Sequence, residues 1–501
     1  MSLPGLGLTE PEEVTEVETA QHDLAKESEW RFEVAVDKYI QVKVLTGSAE
    51  IFGTELVLGN TYNFTNTKAA VYTWEGCRLE VRGDSLQSEY IARETPMHEY
   101  VNTHFALDGL RDKAKAGFGP APRLLILGSD DAGKTTLAKT LVGYALRADR
   151  SPVLINLDPK EGVMSIPGTL TATTFKTLLD VEEGWGTAPM SGPNGSIPVK
   201  LPLVYYYGHD DPAHKDGKFY KSQISRLSLA VSGRISQDVE ARDSGLIIDT
   251  PGSLSVTKSG STTNADILTH VISEFSIDCI ACLGSERLYN DIVKRFDGKP
   301  VTNSSSTNGG LTPTISVVSL TKSGGCVDRD AAYMTALRAA QIRTYFYGNP
   351  KLSNGINLQP RQQQVDFSTL SVWQRIGSFA AGTLASTVAT GEVDEFLPGD
   401  FVPESSFTTG GGVPLPSGQM FERVTAPQPA MRSCVLALMH AKPEAEQDEL
   451  RDAEVYGFLY VTDVDEARGK ISVLSPMVGR VPPMPLAVIW AGWPEGVLGM
   501  V

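Results

Sequence analysis

Nine consecutive residues, Gly128-Ser129-Asp130-Asp131-Ala132-Gly133-Lys134-Thr135-Thr136, have the types and spacing to bind a nucleoside triphosphate. In the pattern G-x-x-x-x-G-K-[ST] the glycines let successive backbone N–H groups curl around phosphate oxygens, and a helix starting behind them adds about half a positive charge. Lys134 is then placed to reach the β- and γ-phosphates and the Thr135 hydroxyl to hold Mg²⁺, with Asp131, Ala132, Gly133 and Thr136 completing the cradle. The flanks agree, because 124–127 is an apolar strand-like run and 137–146 is helix-forming.

Two further segments bear on which phosphate chemistry is available. Asn156-Leu157-Asp158-Pro159 ends the strand that follows the P-loop helix, where Asp158 can face Mg²⁺ through water. Asp249-Thr250-Pro251-Gly252 ends another apolar strand with the D-x-x-G spacing by which GTPases sense a γ-phosphate. Strand-end capping is the competing reading of each carboxylate. A guanine-selecting T/N-K-x-D element would strengthen the GTPase reading, but in Thr321-Lys322-Ser323-Gly324 a glycine stands at the Asp position. Cys279-x-x-Cys282 lies in the apolar run 277–283 with no second Cys or His pair nearby, so it reads as buried strand rather than metal or redox chemistry.

Holding such a loop takes a helix-covered parallel sheet, and residues 119–348 supply the pattern for one. Apolar stretches at 124–127, 153–157, 203–207, 246–249, 279–283 and 315–320 alternate with helical segments. The fold class is therefore α/β, a central P-loop domain with a mostly parallel sheet. Residues 186–198, rich in Gly, Pro, Ser and Asn, and 303–314, rich in Ser and Thr, read as surface insertions. Upstream, 30–36, 39–45, 70–73, 78–81 and 89–92 alternate apolar and polar residues, which predicts an N-terminal β-sandwich; 97–118 reads as a connecting helix, closing a unit of 30–118. After Gly348 the helical rhythm stops. Pro/Gly-rich 397–418, acidic 444–454, and a hairpin signal of 456–462 and 470–474 around 463–469 predict a β-rich C-terminal domain over 349–501. Residues 1–29 carry eight acidic side chains and one Lys with almost no aromatic content, the composition of a disordered arm, so order is expected from Trp30.

The chain has 501 residues, room for about three cores. Its 44 Lys+Arg against 60 Asp+Glu leave a net charge of −16, so there is no global basic footprint for nucleic acid, and any RNA contact must be local to a cleft or supplied by a partner. Five cysteines do not make a disulfide framework. No apolar stretch approaches membrane-spanning length and no signal peptide opens the chain, so a soluble protein of cytosol or nucleus is expected.

Taken in order, Glu50-Ile51-Phe52-Gly53-Thr54-Glu55-Leu56, the P-loop, Asn156-Leu157-Asp158-Pro159, Ser165-Ile166-Pro167-Gly168-Thr169, Glu286-Arg287-Leu288-Tyr289-Asn290 and Tyr345-Phe346-Tyr347-Gly348 resemble the ATP-binding subunits of pre-mRNA cleavage and polyadenylation factors. These belong to the polynucleotide 5′-hydroxyl kinase family, and residues 1–6 with the N-L-D-P form look most like fungal members. The resemblance implies the three-domain layout read above, ATP with Mg²⁺, a nuclear location, and a scaffold partner that carries an RNA polymerase II tail-binding domain and docks on the central domain. It also implies that Glu29 and Lys68 meet the adenine from the N-terminal domain.

Two departures from the family pattern shape the functional expectation. RNA kinases of the family carry T-x-G-W, whose Trp clamps the substrate's 5′ nucleotide by stacking worth about 1–3 kcal/mol; here the tetrad is Thr250-Pro251-Gly252-Ser253, and Ser cannot stack. The lid keeps Arg329, Arg338 and Arg343 but has Met334 and Gln341 where kinase-active relatives show more Arg to neutralise the transferring phosphoryl group. The resemblance therefore implies a non-nucleolytic 3′-end processing subunit that keeps ATP mainly as a structural ligand. An active polyribonucleotide 5′-hydroxyl kinase is the alternative, and a regulatory GTPase the third reading.

Overall fold

The computed structural model describes residues 19–35, 38–83, 86–183, 202–255, 262–302, 313–353, 355, 357–376, 420–476, 479, 481–482, 484–493, 497 and 500. The expected insertion 186–198, most of 303–314, and the Pro/Gly-rich 397–418 lie outside the described residues.

Strands β1 (Thr19–Leu24), β2 (Ser28–Val34), β3 (Tyr39–Gly47), β4 (Ala49–Ile51), β5 (Thr54–Leu56), β6 (Thr61–Thr65), β7 (Lys68–Thr73), β8 (Cys77–Arg82) and β9 (Leu86–Ala92) make two antiparallel sheets, ordered β1-β8-β3-β6 and β5-β4-β7-β2-β9. Period-two alternation turns Ile40, Val42 and Val44 of β3 inward against Trp30, Phe32, Val71, Leu79 and Val81. This is the expected sandwich, with one difference: its first described strand, β1, begins at Thr19, within the segment expected to be a disordered arm. The acidic composition of 1–29 conceals an edge strand, because β1 pairs with β8 along its length and Asp23 binds Arg78 at 2.6 Å. Glu29, read as the last residue of the arm, lies inside β2 and is 4% exposed, its charge matched by Arg31.

The central domain runs α1 (Met97–Lys115), β10 (Arg123–Gly128), α2 (Lys134–Arg147), β11 (Val153–Asn156), β12 (Thr169–Thr174), β13 (Leu203–Tyr206), α3 (Lys218–Gln237), α4 (Val239–Ser244), β14 (Leu246–Asp249), α5 (Thr262–Glu274), β15 (Cys279–Leu283), α6 (Glu286–Phe296), β16 (Ser316–Leu320) and α7 (Ala331–Tyr347). Its sheet is ordered β13-β12-β11-β14-β10-β15-β16. The strands β11, β14, β10, β15 and β16 are mutually parallel; the central ones, β11, β14 and β10, are mostly apolar because both faces are covered, whereas the edge strand β16 exposes Ser316 and Ser319. Leu125 and Leu127 pack with α3, α5 and α6, whereas Leu124 and Ile126 pack with α1 and α2. β12, which the sequence did not signal, makes the β11 edge antiparallel. Its Thr-Leu-Thr-Ala-Thr-Thr run has too little apolar contrast to announce a strand, yet four of its residues are buried.

The C-terminal domain consists of β17 (Arg361–Asp366), β18 (Ser371–Arg375), β19 (Phe421–Val424), β20 (Val435–Met439), α8 (Gln447–Asp452), β21 (Val455–Asp465), β22 (Lys470–Ser475) and β23 (Ala487–Trp490), in one sheet ordered β17-β22-β21-β20-β23-β18-β19. The predicted hairpin is β21–β22. One face of this sheet buries Ile342, Tyr345 and Phe346 of α7, so the last helix of the central domain is rooted in the C-terminal domain. Among the described residues no helix is long and apolar enough to cross a membrane.

α1 joins the sandwich to the central domain through Tyr100, His104, Leu107 and Arg111, a buried stripe at helical spacing. His104 faces Tyr144, and its Nδ1 has no hydrogen-bond partner among the described residues. Burial, and then the neighbouring Arg111, push its pKa down to about 4, with Asp108 opposing and Arg150 and Arg147 adding to the depression. The folded state therefore excludes a proton that the unfolded chain accepts near pH 6.5. Stability from the neutral ring is present above pH 6.5 and is lost as pH falls toward 4, the folding constant dropping by roughly tenfold per pH unit. As pH is lowered from 7.5 to 5, wild type should lose melting temperature more steeply than His104→Leu, which has no ring to protonate. Parallel losses in the two proteins would show that His104 does not titrate this way.

Candidate nucleotide site

β10 delivers its chain into the P-loop, and α2 leaves it. The turn is made by Asp131 at φ 56° and Gly133 at φ 89°, both left-handed, which brings the start of α2 round under the loop. No side chain caps α2, so the N–H groups of its first turn face the place where phosphate oxygens would lie. At Gly133 the left-handed φ disfavours a side chain, and a Cβ there would press on Cys326 Sγ at 2.8 Å. Gly252 is equally constrained: a Cβ there would stand 2.4 Å from the backbone nitrogen of Asp130. The D-x-x-G segment after β14 thus abuts the P-loop backbone, and Ser255 Oγ accepts the Gly128 N–H at 2.8 Å.

Inside the loop, Lys134 donates to the Ser129 carbonyl at 2.8 Å and Thr135 Oγ1 donates to Asp249 Oδ2 at 2.5 Å. The other Asp249 oxygen is buried without a hydrogen-bond partner among the described residues. Burial raises the Asp249 carboxyl to about 7, with Lys134 and Thr135 pulling the other way, and burial with Glu161 nearby raises Asp158 to about 6. An unsatisfied carboxylate oxygen beside a P-loop threonine fits a divalent cation, whose charge would bring both carboxyls back to their ionised forms. The sequence reading gave the Mg²⁺ role to Thr135 and Asp158. The structure puts Asp249, not Asp158, against Thr135; Asp158 Oδ1 instead accepts the Lys160 N–H at 2.9 Å.

Toward the base side, Glu29 and Lys68 both lie in the N-terminal sandwich, but their charged groups are engaged. The Glu29 carboxylate takes Arg31 Nε at 2.5 Å and Thr95 Oγ1 at 3.1 Å. Lys68 binds Glu33 at 3.0 Å and lies 4.8 Å above the ring of Tyr333 in α7. Beside Arg31 passes the segment 321–329, whose first part the sequence had offered as a failed guanine-selecting element and whose last residue, Arg329, it had placed in the lid. Glu99 holds the Thr321 N–H and hydroxyl at 2.7 Å each, and Tyr100 donates to the Thr321 carbonyl at 3.0 Å. The Arg31 guanidinium packs on Gly324 and Gly325, and Cys326 lies against the P-loop. The sandwich, α1, this segment and the P-loop therefore meet beside the phosphate cradle.

The lid arginines are engaged as well. Arg329 donates to Asp131 at 2.6 Å and to Glu161 at 2.6 Å, Arg338 lies 5.5 Å above the Trp493 ring, and Arg343 lies 5.9 Å above the Tyr347 ring. Gln341 accepts the Gly162 N–H at 3.0 Å and donates to the Gly162 carbonyl at 3.3 Å. At the position of the family's stacking Trp, the Ser253 carbonyl accepts Asn264 Nδ2 at 3.1 Å. Cys279 and Cys282 lie in β15, where burial lifts both thiols to about 12.

Family models match the three parts of the chain in order: the N-terminal beta-sandwich domain of polyadenylation factor over 23–114, the mRNA cleavage and polyadenylation factor CLP1 P-loop over 128–348, and the pre-mRNA cleavage complex II protein Clp1 over 358–495. The mRNA cleavage and polyadenylation factor clp1 of Emericella nidulans is 45% identical over 553 residues, covering 100% of both chains. The chain belongs to the Clp1 family of mRNA cleavage and polyadenylation factors. The Clp1 of Aspergillus niger is 48% identical over 96% of this chain and 98% of its own. A solved wild-type complex of Clp1p with residues 454–563 of Pcf11p has TM-score 0.74 and 27% identity, covering 94% of this chain and 97% of that one. A second such structure, at 26% identity and the same TM-score, is of a point mutant described by its loss of ATP.

Within the Clp1 frame, the P-loop and Asp249 were visible from local sequence. Arg31, Glu99, Glu161 and Trp493 were not, because each acts across a tertiary contact and lies in no motif of its own.

Proposed function

We propose that this chain binds ATP with Mg²⁺ and keeps it chiefly as a structural ligand, within a non-nucleolytic subunit of the nuclear machinery that makes pre-mRNA 3′ ends. Asp131, Ala132, Gly133, Lys134, Thr135 and Thr136 hold the phosphates, Thr135 and Asp249 hold the metal with Asp158 behind them, and Glu29 and Lys68 approach the base once it displaces part of their present pairing. The observation that carries the reading is the double ion pair of Arg329 with Asp131 and Glu161, which occupies the lid arginine nearest the P-loop, while Arg338 lies over the Trp493 ring and Arg343 over the Tyr347 ring. Cations so engaged do not converge on a transferring phosphoryl group, which argues for retention of ATP over 5′-hydroxyl kinase activity. The GTPase reading is weaker still, since Gly324 lacks the carboxylate for guanine and Arg31 covers that loop.

The partner is a scaffold subunit of the Pcf11 type, bearing an RNA polymerase II tail-binding domain, which also links the chain to other 3′-end factors and to RNA. ATP bridging the sandwich and the central domain would fix surfaces that such a partner recognises. Lys134→Ala with Thr135→Ala should therefore bind a Pcf11-type fragment at least about tenfold more weakly, about 1.4 kcal/mol, in a titration followed by calorimetry. Undiminished affinity in the ATP-free variant would contradict a structural role for the nucleotide in assembly.

A further inference from the structure

α7 is held at both ends of its exposed half. Immediately before it, Arg329 binds Asp131 in the P-loop with its side chain at 2.6 Å and with its backbone N–H at 3.0 Å. Ten residues into the helix, Gln341 pairs with both polar groups of the Gly162 peptide. That span is about 15 Å of helix, enough to cross from the phosphate cradle to the loop after β11. Beyond Gln341 the helix cannot move freely, because Ile342 and Phe346 are fully buried in the C-terminal domain and Tyr345 accepts the Phe458 N–H at 3.2 Å. The half carrying residues 331–341 is thus a flap attached to a fixed root, and Gln341 is the contact nearest that root.

The Gln341–Gly162 pair suits a latch. A carboxamide matches a peptide group donor to acceptor and acceptor to donor, so the pair is satisfied in one orientation and carries no net charge. An arginine at this position would offer only donors and would leave the Gly162 N–H unpaired. Gly162 itself leaves no room for a substitute, since a Cβ would stand 2.4 Å from the Ser165 carbonyl oxygen.

We propose that Gln341 is a positioning residue that docks α7 onto the loop carrying Asp158 to Gly162, closing the phosphate side of the site and setting how long a bound nucleotide stays. The inference rests on the nucleotide reading above and extends it from occupancy to residence. The latch acts on release: once the flap is docked, a nucleotide leaves only after α7 lifts, which requires the Gly162 pair to break together with the Arg329–Asp131 contacts at the free end, whereas entry occurs while the flap is open. Losing both hydrogen bonds should speed release by about tenfold.

The test uses the full chain loaded with a fluorescent ATP analogue and Mg²⁺, then chased with excess unlabelled ATP. Gln341→Leu should release the analogue about tenfold faster than wild type, with association within about twofold. Gln341→Glu keeps an acceptor for the Gly162 N–H but opposes the Gly162 carbonyl with a second acceptor, and should also release faster; it carries the test if the leucine variant does not fold. Release within about twofold of wild type in the variants, or association slowed in step with it, would overturn the latch. Wild type that retains no analogue through gel filtration would instead overturn the nucleotide reading itself.

Discussion

Lys134→Ala combined with Thr135→Ala should yield protein without nucleotide, and that protein should melt at a lower temperature than wild type. The substitutions remove the ammonium group that spans the phosphates and the hydroxyl that meets Asp249 at 2.5 Å. A ligand that binds only the folded state at about 100 times its dissociation constant adds about 2.7 kcal/mol, which for a domain the size of the central one corresponds to roughly 5–10 °C. Part of the loss will be intrinsic, because Thr135→Ala leaves the buried Asp249 carboxyl without the one hydrogen-bond donor it has among the described residues. Added Mg·ATP separates the two contributions: it should raise the melting temperature of wild type stripped of nucleotide and leave the double variant unchanged. Stoichiometric ATP retained by the double variant would show that the phosphate cradle lies elsewhere.

That dependence follows from how the site is assembled. The P-loop belongs to the central domain, Arg31 and Lys68 to the sandwich, and α7 is rooted in the C-terminal domain. A ligand filling the space among them joins separate folding units, so its loss should be felt as weakened domain contacts as well as lost phosphate binding. Local opening of the segment 321–329 is the expected first consequence, detectable as faster amide exchange there.

The parts of this architecture that were legible in the sequence are those whose cause is local. Strict alternation located β3, a continuous apolar run with glycines behind it located β10 and the P-loop, and turn residues between two β-rich runs located the β21–β22 hairpin. The misses have physical reasons. β1 is an edge strand whose outward residues are polar, so acidic composition outweighed its pairing with β8. β12 is threonine-rich and lacks apolar contrast. In the site, the contact of Asp249 with Thr135 was not legible, because sequence gives strand ends without saying which of two neighbouring ends faces that hydroxyl. The roles of Glu29 and Lys68 came from resemblance alone, and their pairing with Arg31 and Glu33 depends on packing within the sandwich that no motif encodes.

The protein should not transfer the γ-phosphate of ATP to RNA. Phosphoryl transfer depends on alignment of the acceptor and on cations at the transferring group, and an acceptor displaced by about 1 Å costs about 100-fold. Ser253 provides no ring on which a 5′ nucleotide can stack, removing an interaction worth about 1–3 kcal/mol. Gln341 carries no charge and is spent on Gly162, while Arg338 rests on Trp493. Positioning and charge stabilisation are separate contributions, so Ser253→Trp should restore acceptor binding more than it restores rate. The most direct measurement follows the label of γ-³²P-ATP incubated with the wild-type chain and a 5′-hydroxyl oligoribonucleotide, with Lys134→Ala as background. The label should stay in intact ATP associated with the protein; label on the RNA above the Lys134→Ala background, or released as free phosphate, would contradict the retention of ATP as a structural ligand.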